Sequence, residues 1–486
     1  MVKNLIAVRS QRAAMRFPYG VVRKISVQFL HRYNRLLCGR LNRVTTLKHM
    51  YRHLQLAAAV GMMAGSLLAA DAVEPAKNLP AMFTGPGSCS SPSCHGGVQP
   101  RQDTSVLQNE YSTWVIKDKH TKAFEVLTNP IGQRMGKILG LPHPETAPKC
   151  LTCHSLDVPL SQRARTFDNN DGVSCENCHG PASNWLGPHT TRDWNFDKSV
   201  PLGMYDTRDI IKRSEKCLSC HLGDKEKFVD HKMIAAGHPD LYFELDSFSA
   251  VMPRHWKEPL DKDPWIGVRT LAAGQAVQLR EHLLRLVRRA QGDVWPEYAE
   301  LDCYACHHSL TAAKDSWRQE RGYGDRAPGV PPFNASRYVV FQRILQEIEP
   351  GAGQQLDAEL AQVAKLVGDL ATDRNRLVTV ATAGSEIADR LARRIVGMKF
   401  DQAATLRLLK GISGDAERIS AQGERAAEQA AMALESLFVA YSTSGKPANQ
   451  EQLRAAINGL FRQLDDPSSY RPEKFAGQMR AVNALL

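Results

Sequence analysis

The hydrophobic pattern changes character twice along the 486 residues. Residues 54–68 (LQLAAAVGMMAGSLL) form a largely apolar run of 15. From Val73 to about residue 320, apolar residues are scattered among Gly, Pro and Asp turn signals, and only 265–291 reads as a longer helix. The Gly/Pro-rich stretch RGYGDRAPGVPP (321–332) then reads as a linker, after which helical spacing takes over. Tyr338, Phe341, Leu345 and Ile348 keep 3-to-4 spacing, as do Leu356, Leu360, Val363, Val367 and Leu370. Further amphipathic segments fall at about 378–396, 402–413, 416–441, 450–464 and 472–485, with no strand-like alternation. The pattern predicts a mainly α fold: a leader over 1–72, a loop-rich region over 73–320, the linker, and a helical bundle of about five to seven helices over 333–486.

Charge changes the picture at the N-terminus. The formal net charge is +11, yet residues 1–70 hold 12 of the 62 basic residues and no acid. Asp71 is the first of the 51 acids, so the chain from Val73 onward is formally neutral, which removes the case for a nucleic-acid partner. The basic leader, the short apolar run and the Ala70-Asp71-Ala72 pattern read as a signal peptide with its h-region at 54–68. Met50 would open a conventional signal peptide by itself, and a retained N-terminal anchor is the competing reading. The mature chain, with no later apolar stretch of spanning length, is expected to be exported, periplasmic or extracellular, with no transmembrane span.

Ten of the 11 cysteines form five close pairs, each followed at once by histidine. The sets are Cys89, Cys94 and His95; Cys150, Cys153 and His154; Cys175, Cys178 and His179; Cys217, Cys220 and His221; and Cys303, Cys306 and His307. Four are C-x-x-C-H, the attachment signature of c-type haem. Two thiols about one helical turn apart can reach the two vinyl groups of a haem, and the adjacent imidazole then falls beneath the ring to ligate iron. The first is C-x4-C-H, where Ser-Ser-Pro-Ser must loop out; a Cys89–Cys94 disulfide is its alternative. Zinc is the alternative for the set, but zinc sites do not require His directly after every second Cys. Five covalent haems c are expected.

Thirteen histidines follow residue 72, leaving eight beyond the five proximal ones. His120, His189, His231, His238, His255 and His308 are the distal candidates, and that number favours bis-histidine haems. His143 and His282 are read as ordinary histidines, His282 on a solvated basic face of LREHLLRLVRR. Met204, Met233 and Met252 are alternative axial ligands, although core packing is the commoner fate of Met. A region so rich in turns has to use its haems as core, and Trp265, Trp295 and Trp317 are expected to pack against them. After His308 the chain has neither Cys nor His, so a fragment ending near Pro332 is expected to retain all five haems. The helical tail reads either as a docking or homo-oligomerisation module or as a cap.

GVSCENCHGPASNWLGPH (172–189), CLSCHLG with DHKMIAAGHPDLYFEL (217–223 and 230–245) and LDCYACHHSL (301–310) resemble the multihaem cytochromes related to the tetrahaem cytochrome c of ammonia oxidisers. That cytochrome accepts electrons from hydroxylamine oxidoreductase. The resemblance spans about 80–320; it implies closely stacked haem pairs and, through WVIKDKHTKAF and the GHP segment, distal roles for His120 and His238. The chain departs from the family in its fifth motif and its haem-free tail. Pentahaem nitrite reductases also join five haems to C-terminal helices, but they use a lysine-ligated C-x-x-C-K haem, and no such motif occurs here. The expected function is electron transfer between redox protein partners. The alternative is an oxidoreductase acting on a small nitrogen or sulfur compound at one open-sited haem.

Overall fold

The computed structural model describes residues 80–104, 106–257, 262–307, 330–445, 447–466 and 469–486. The signal segment, His308, Trp317 and most of the 321–332 linker lie outside the described residues. The fold is mainly α. Among the described residues the only extended pairing is two isolated bridges, Phe83 with Arg163 and Leu301 with Phe333.

Up to residue 265 the helices are short: α1 (Glu110–Lys117), α2 (Pro130–Ile138), α3 (Pro148–His154), α4 (Cys175–His179), α5 (Ile210–His221), α6 (His231–Ala235) and α7 (Leu245–Val251). Among the described residues before Ile210 the buried apolar side chains are Pro86, Leu127, Pro144, Leu151, Ala182 and Trp185, too few for a protein core across some 130 residues. Local polar groups hold this part instead. Asn129, Asp209 and Asp230 cap α2, α5 and α6 by accepting backbone N–H bonds at their first turns.

The longest helix, α8 (Ile266–Gln291), coincides within a residue with its predicted range. Its surroundings do not match the expectation. It is buried nearly all round, and its most extensive contact is with α11 (Arg374–Val396) of the C-terminal bundle. It also packs on α5, which carries the fourth motif. His282 is therefore not on a solvated face: it is 1% exposed, and its Nε2 lies 3.0 Å from the Glu300 carboxylate, which also accepts from Arg285 at 2.8 Å. Arg280, on the same helix, donates to Asp389 and Glu215 at 2.6 Å. The basic residues of α8 are matched partly by acids distant in sequence and partly by local ones, Glu281 for Arg280 and Asp263 for Arg269. Trp265 and Trp295 pack against this same apolar core.

The bundle comprises α9 (Val339–Ile348), α10 (Pro350–Gly368), α11, α12 (Gln402–Gly414), α13 (Ala416–Ala421), α14 (Glu424–Ala440), α15 (Gln450–Arg462) and α16 (Pro472–Asn483). That is eight segments rather than five to seven, because 416–441 is broken where Gly423 takes φ 100°. The apolar core runs without interruption from Ile210, Leu218 and Leu222 through α8 to Val482. Polar contacts cross the same junction. The Ser436 hydroxyl donates to Glu244 at 3.1 Å, and the Gln429 amide donates to the Phe243 carbonyl at 3.1 Å.

Candidate haem sites

Motifs two, three and four each end a short helix: α3, α4 and α5. Helical geometry over C-x-x-C-H puts both thiols on one side and the histidine one step beyond. The first motif follows a 3-10 turn at Pro86–Cys89, and the fifth lies on one at Cys303–Ala305. The ten motif cysteines are free thiols, and Cys89 and Cys94 are not joined. Cys303 and Cys306 are exposed, whereas the other eight are half-buried.

Four proximal imidazoles each face a distal candidate. His95 and His189 stack at 6.1 Å between ring centres, 5° from parallel. His307 and His231 stand 6.1 Å apart at 27°. His221 faces His120 at 6.3 Å, and His154 faces His238 at 6.3 Å, both pairs crossed near 90°. The remaining motif histidine, His179, is half-buried; its removal from water, and after that the nearby His255, disfavour its charged form. His143 is exposed beside Glu145, and His282 is tied to Glu300, so neither faces a motif histidine. Met233 is in the apolar core.

The separations match the chemistry of a shared metal. An imidazole nitrogen sits about 2 Å from a metal it binds, with the ring centre roughly 1 Å further back, so two rings on opposite sides of one ion stand about 6 Å apart. Burial pushes His179 and His221 down to about 4 and also lowers His154, keeping these imidazoles neutral with a lone pair to give. His95 is raised by its hydrogen bond to Glu110. For His120, burial opposes the charged form, but the Asp118 carboxylate outweighs it and the pKa rises.

The motifs also touch one another. The Cys89 and Cys175 thiols lie close enough to shift one another's ionisation, bringing motifs one and three together. Burial pushes Cys178 up to about 11 and Cys217 up to about 12, and the proximity of Cys178 to Cys217 and Cys220 adds to both, bringing motifs three and four together. Cys220 and Cys153 likewise lie close enough to shift one another's ionisation, bringing motifs four and two together. Helix α6 starts at His231, His238 follows its end, and Lys149 pairs with Asp230 at 3.1 Å, so motifs two and five adjoin.

Sequence reasoning passed over Glu176, inside the third motif. It is 2% exposed, and its carboxylate accepts the backbone N–H groups of Thr84 at 2.9 Å, Gly85 at 2.7 Å and Ala182 at 2.7 Å. Gly85 is at φ 78°, and a Cβ there would lie 2.8 Å from the Thr166 carbonyl, so a side chain is excluded. Glu176 thus clamps the segment entering motif one onto motif three. Its position between two motif cysteines was the available signal, since a surface loop has no need of an acid there. Glu176→Ala leaves three buried donors unpaired and is expected to cost about 3–6 kcal/mol. Glu176→Gln, which keeps one carbonyl acceptor, should cost about half as much in chemical denaturation.

Paired cysteines each followed by histidine, and imidazoles opposed at about 6 Å, support the reading of a c-type cytochrome, a class that holds haem covalently and transfers electrons. Residues 89–180, which carry the first three motifs, match the family model described as cytochrome c554 and c-prime. No curated protein and no solved structure matches the chain. No helix among the described residues is long and apolar enough to cross a membrane.

Proposed function

We propose that the chain binds five haems c and conducts electrons along them between two redox protein partners outside the cytoplasm. The observation that carries this reading is the opposition of four proximal and four distal imidazoles at 6.1–6.3 Å. The axial pairs are His95 with His189, His154 with His238, His179 with His255, His221 with His120, and His307 with His231. Each haem would supply a one-electron iron couple; the protein's part is to fix its position, ligands and exposure. Contacts between motifs support the order one, three, four, two, five, with the exposed fifth motif at one end. A partner can reach that end without entering the fold. An oxidoreductase would instead need one five-coordinate iron open to a small nitrogen or sulfur compound.

The test is the intact mass of the exported holoprotein together with its electron paramagnetic resonance and resonance Raman spectra. The expected result is five haems, all low-spin, on a chain beginning near Val73. A count of four, or a high-spin ferric signal equal to one haem, would reject the pure carrier.

A further inference from the structure

Helix α1 places a carboxylate at each of its ends, and each carboxylate meets an axial histidine of a different haem site. At the first residue, Glu110 Oε2 lies 2.9 Å from His95 Nδ1. Just past the last residue, Asp118 Oδ1 lies 3.0 Å from His120 Nδ1. Neither carboxylate is loosely placed. Glu110 also accepts the Leu107 backbone N–H at 2.7 Å, and Asp118, 7% exposed, accepts the His120 backbone N–H at 3.0 Å. The helix itself is pinned between motifs: the Tyr111 N–H donates to the His95 carbonyl at 2.9 Å, and the Trp114 indole donates to the Val173 carbonyl at 3.0 Å. Eight helical residues span about 12 Å, so one rigid element serves two sites.

The partners at the second site differ. His154 Nδ1 meets the Ala123 carbonyl and His238 Nδ1 meets the Pro239 carbonyl, both at 2.8 Å. His189, opposite His95, also uses a carbonyl, that of Leu186 at 2.6 Å. A carbonyl is neutral, whereas a carboxylate carries a full charge and makes a stronger hydrogen bond. Accepting the hydrogen bond from Nδ1–H, the carboxylate gives the imidazole partial imidazolate character and makes Nε2 a stronger donor to iron. The oxidised site has one more positive charge than the reduced site, so the stronger donor and the nearby negative charge both favour oxidation.

We infer that Glu110 and Asp118 are positioning residues through which helix α1 lowers the reduction potentials of the first and fourth haems below the values their ligands alone would set. The inference rests on the ligation proposed above. In the order one, three, four, two, five, it makes the first and fourth haems, which stand first and third along that order, the places an electron leaves most readily. The second site, with carbonyl partners on both rings, holds electrons more strongly.

The experiment is a potentiometric titration of the full-length holoprotein, followed by absorption and electron paramagnetic resonance, for the wild type, Glu110→Gln, Asp118→Asn and the double variant. Each single variant is expected to move a different reduction wave upward, and the double variant to move both, with every haem still low-spin. A tenfold change in the ratio of oxidised to reduced stability corresponds to about 59 mV for a one-electron couple, and each shift should be at least of that order. Five low-spin haems with no wave displaced would overturn the inference and leave the ligation reading intact. A high-spin first or fourth haem in the wild type would overturn both.

Discussion

Replacing His189 by alanine is expected to turn one of five haems from low-spin to high-spin while leaving all five attached. The ring of His189 lies parallel to that of His95 at 6.1 Å, and among the described residues no other histidine is paired with His95 in this way. Its Nδ1 hydrogen bond to the Leu186 carbonyl fixes the ring in that pose, leaving Nε2 to face the proximal imidazole. Thioether attachment depends on Cys89 and Cys94 and should survive, so intact mass stays at five haems while about one fifth of the iron changes spin state. His120→Ala, His238→Ala and His231→Ala should each do the same at a different site. Two controls separate ligation from packing. His143→Ala, at an exposed position, should change neither spectra nor stability. His282→Ala should leave the spectra unchanged yet destabilise the fold by about 2–4 kcal/mol, because Glu300 loses a buried partner. Loss of a low-spin signal in either control, or its retention in His189→Ala, would refute the pairing.

How much of this was legible in the sequence depends on how local the cause is. Helices α12, α15 and α16 fall within a residue or two of their expected ranges, because each declares itself locally. Asp401 caps α12, Pro472 opens α16, and apolar spacing fills between. The break at Gly423 was masked by alanine-rich helix formers on both sides, and only its positive φ reveals it. The motif cysteines and their histidines can be read directly, since attachment chemistry fixes their spacing. The opposition of His120 to His221 cannot, because it joins residues 101 positions apart. The environment of α8 was misread for the same reason. Besides the adjacent Glu281, Arg280 is received by Glu215 and Asp389, which lie 65 and 109 residues away, so the helix presents as a solvated basic face when read alone.

The shared core changes the outcome expected of the fragment that ends near Pro332. Cysteine and histidine placement alone suggests that it keeps every haem, but α8 would then lose α11, its main neighbour. Val268, Leu271, Val277, Leu279, Leu283 and Leu286 are fully buried on α8. Exposing even half of such side chains at about 1.5–3 kcal/mol each consumes most of the stability of an ordinary domain. The damage should be uneven. Glu176, helix α1 and the first three motifs rest on polar clamps and on little apolar core, none of it supplied by the bundle. The fifth motif is linked to the core through Leu301, which bridges to Phe333, and through Glu300, which is held by His282 and Arg285 of α8. Truncation at Pro332 removes Phe333 and loosens α8 together. The expected product is aggregation-prone, with the fifth haem missing or high-spin and the first and third spectroscopically intact. Size-exclusion chromatography, intact mass and electron paramagnetic resonance of the fragment read all three. A soluble monomer with five low-spin haems would show that the bundle is dispensable and that α8 finds another cover within the haem-bearing region.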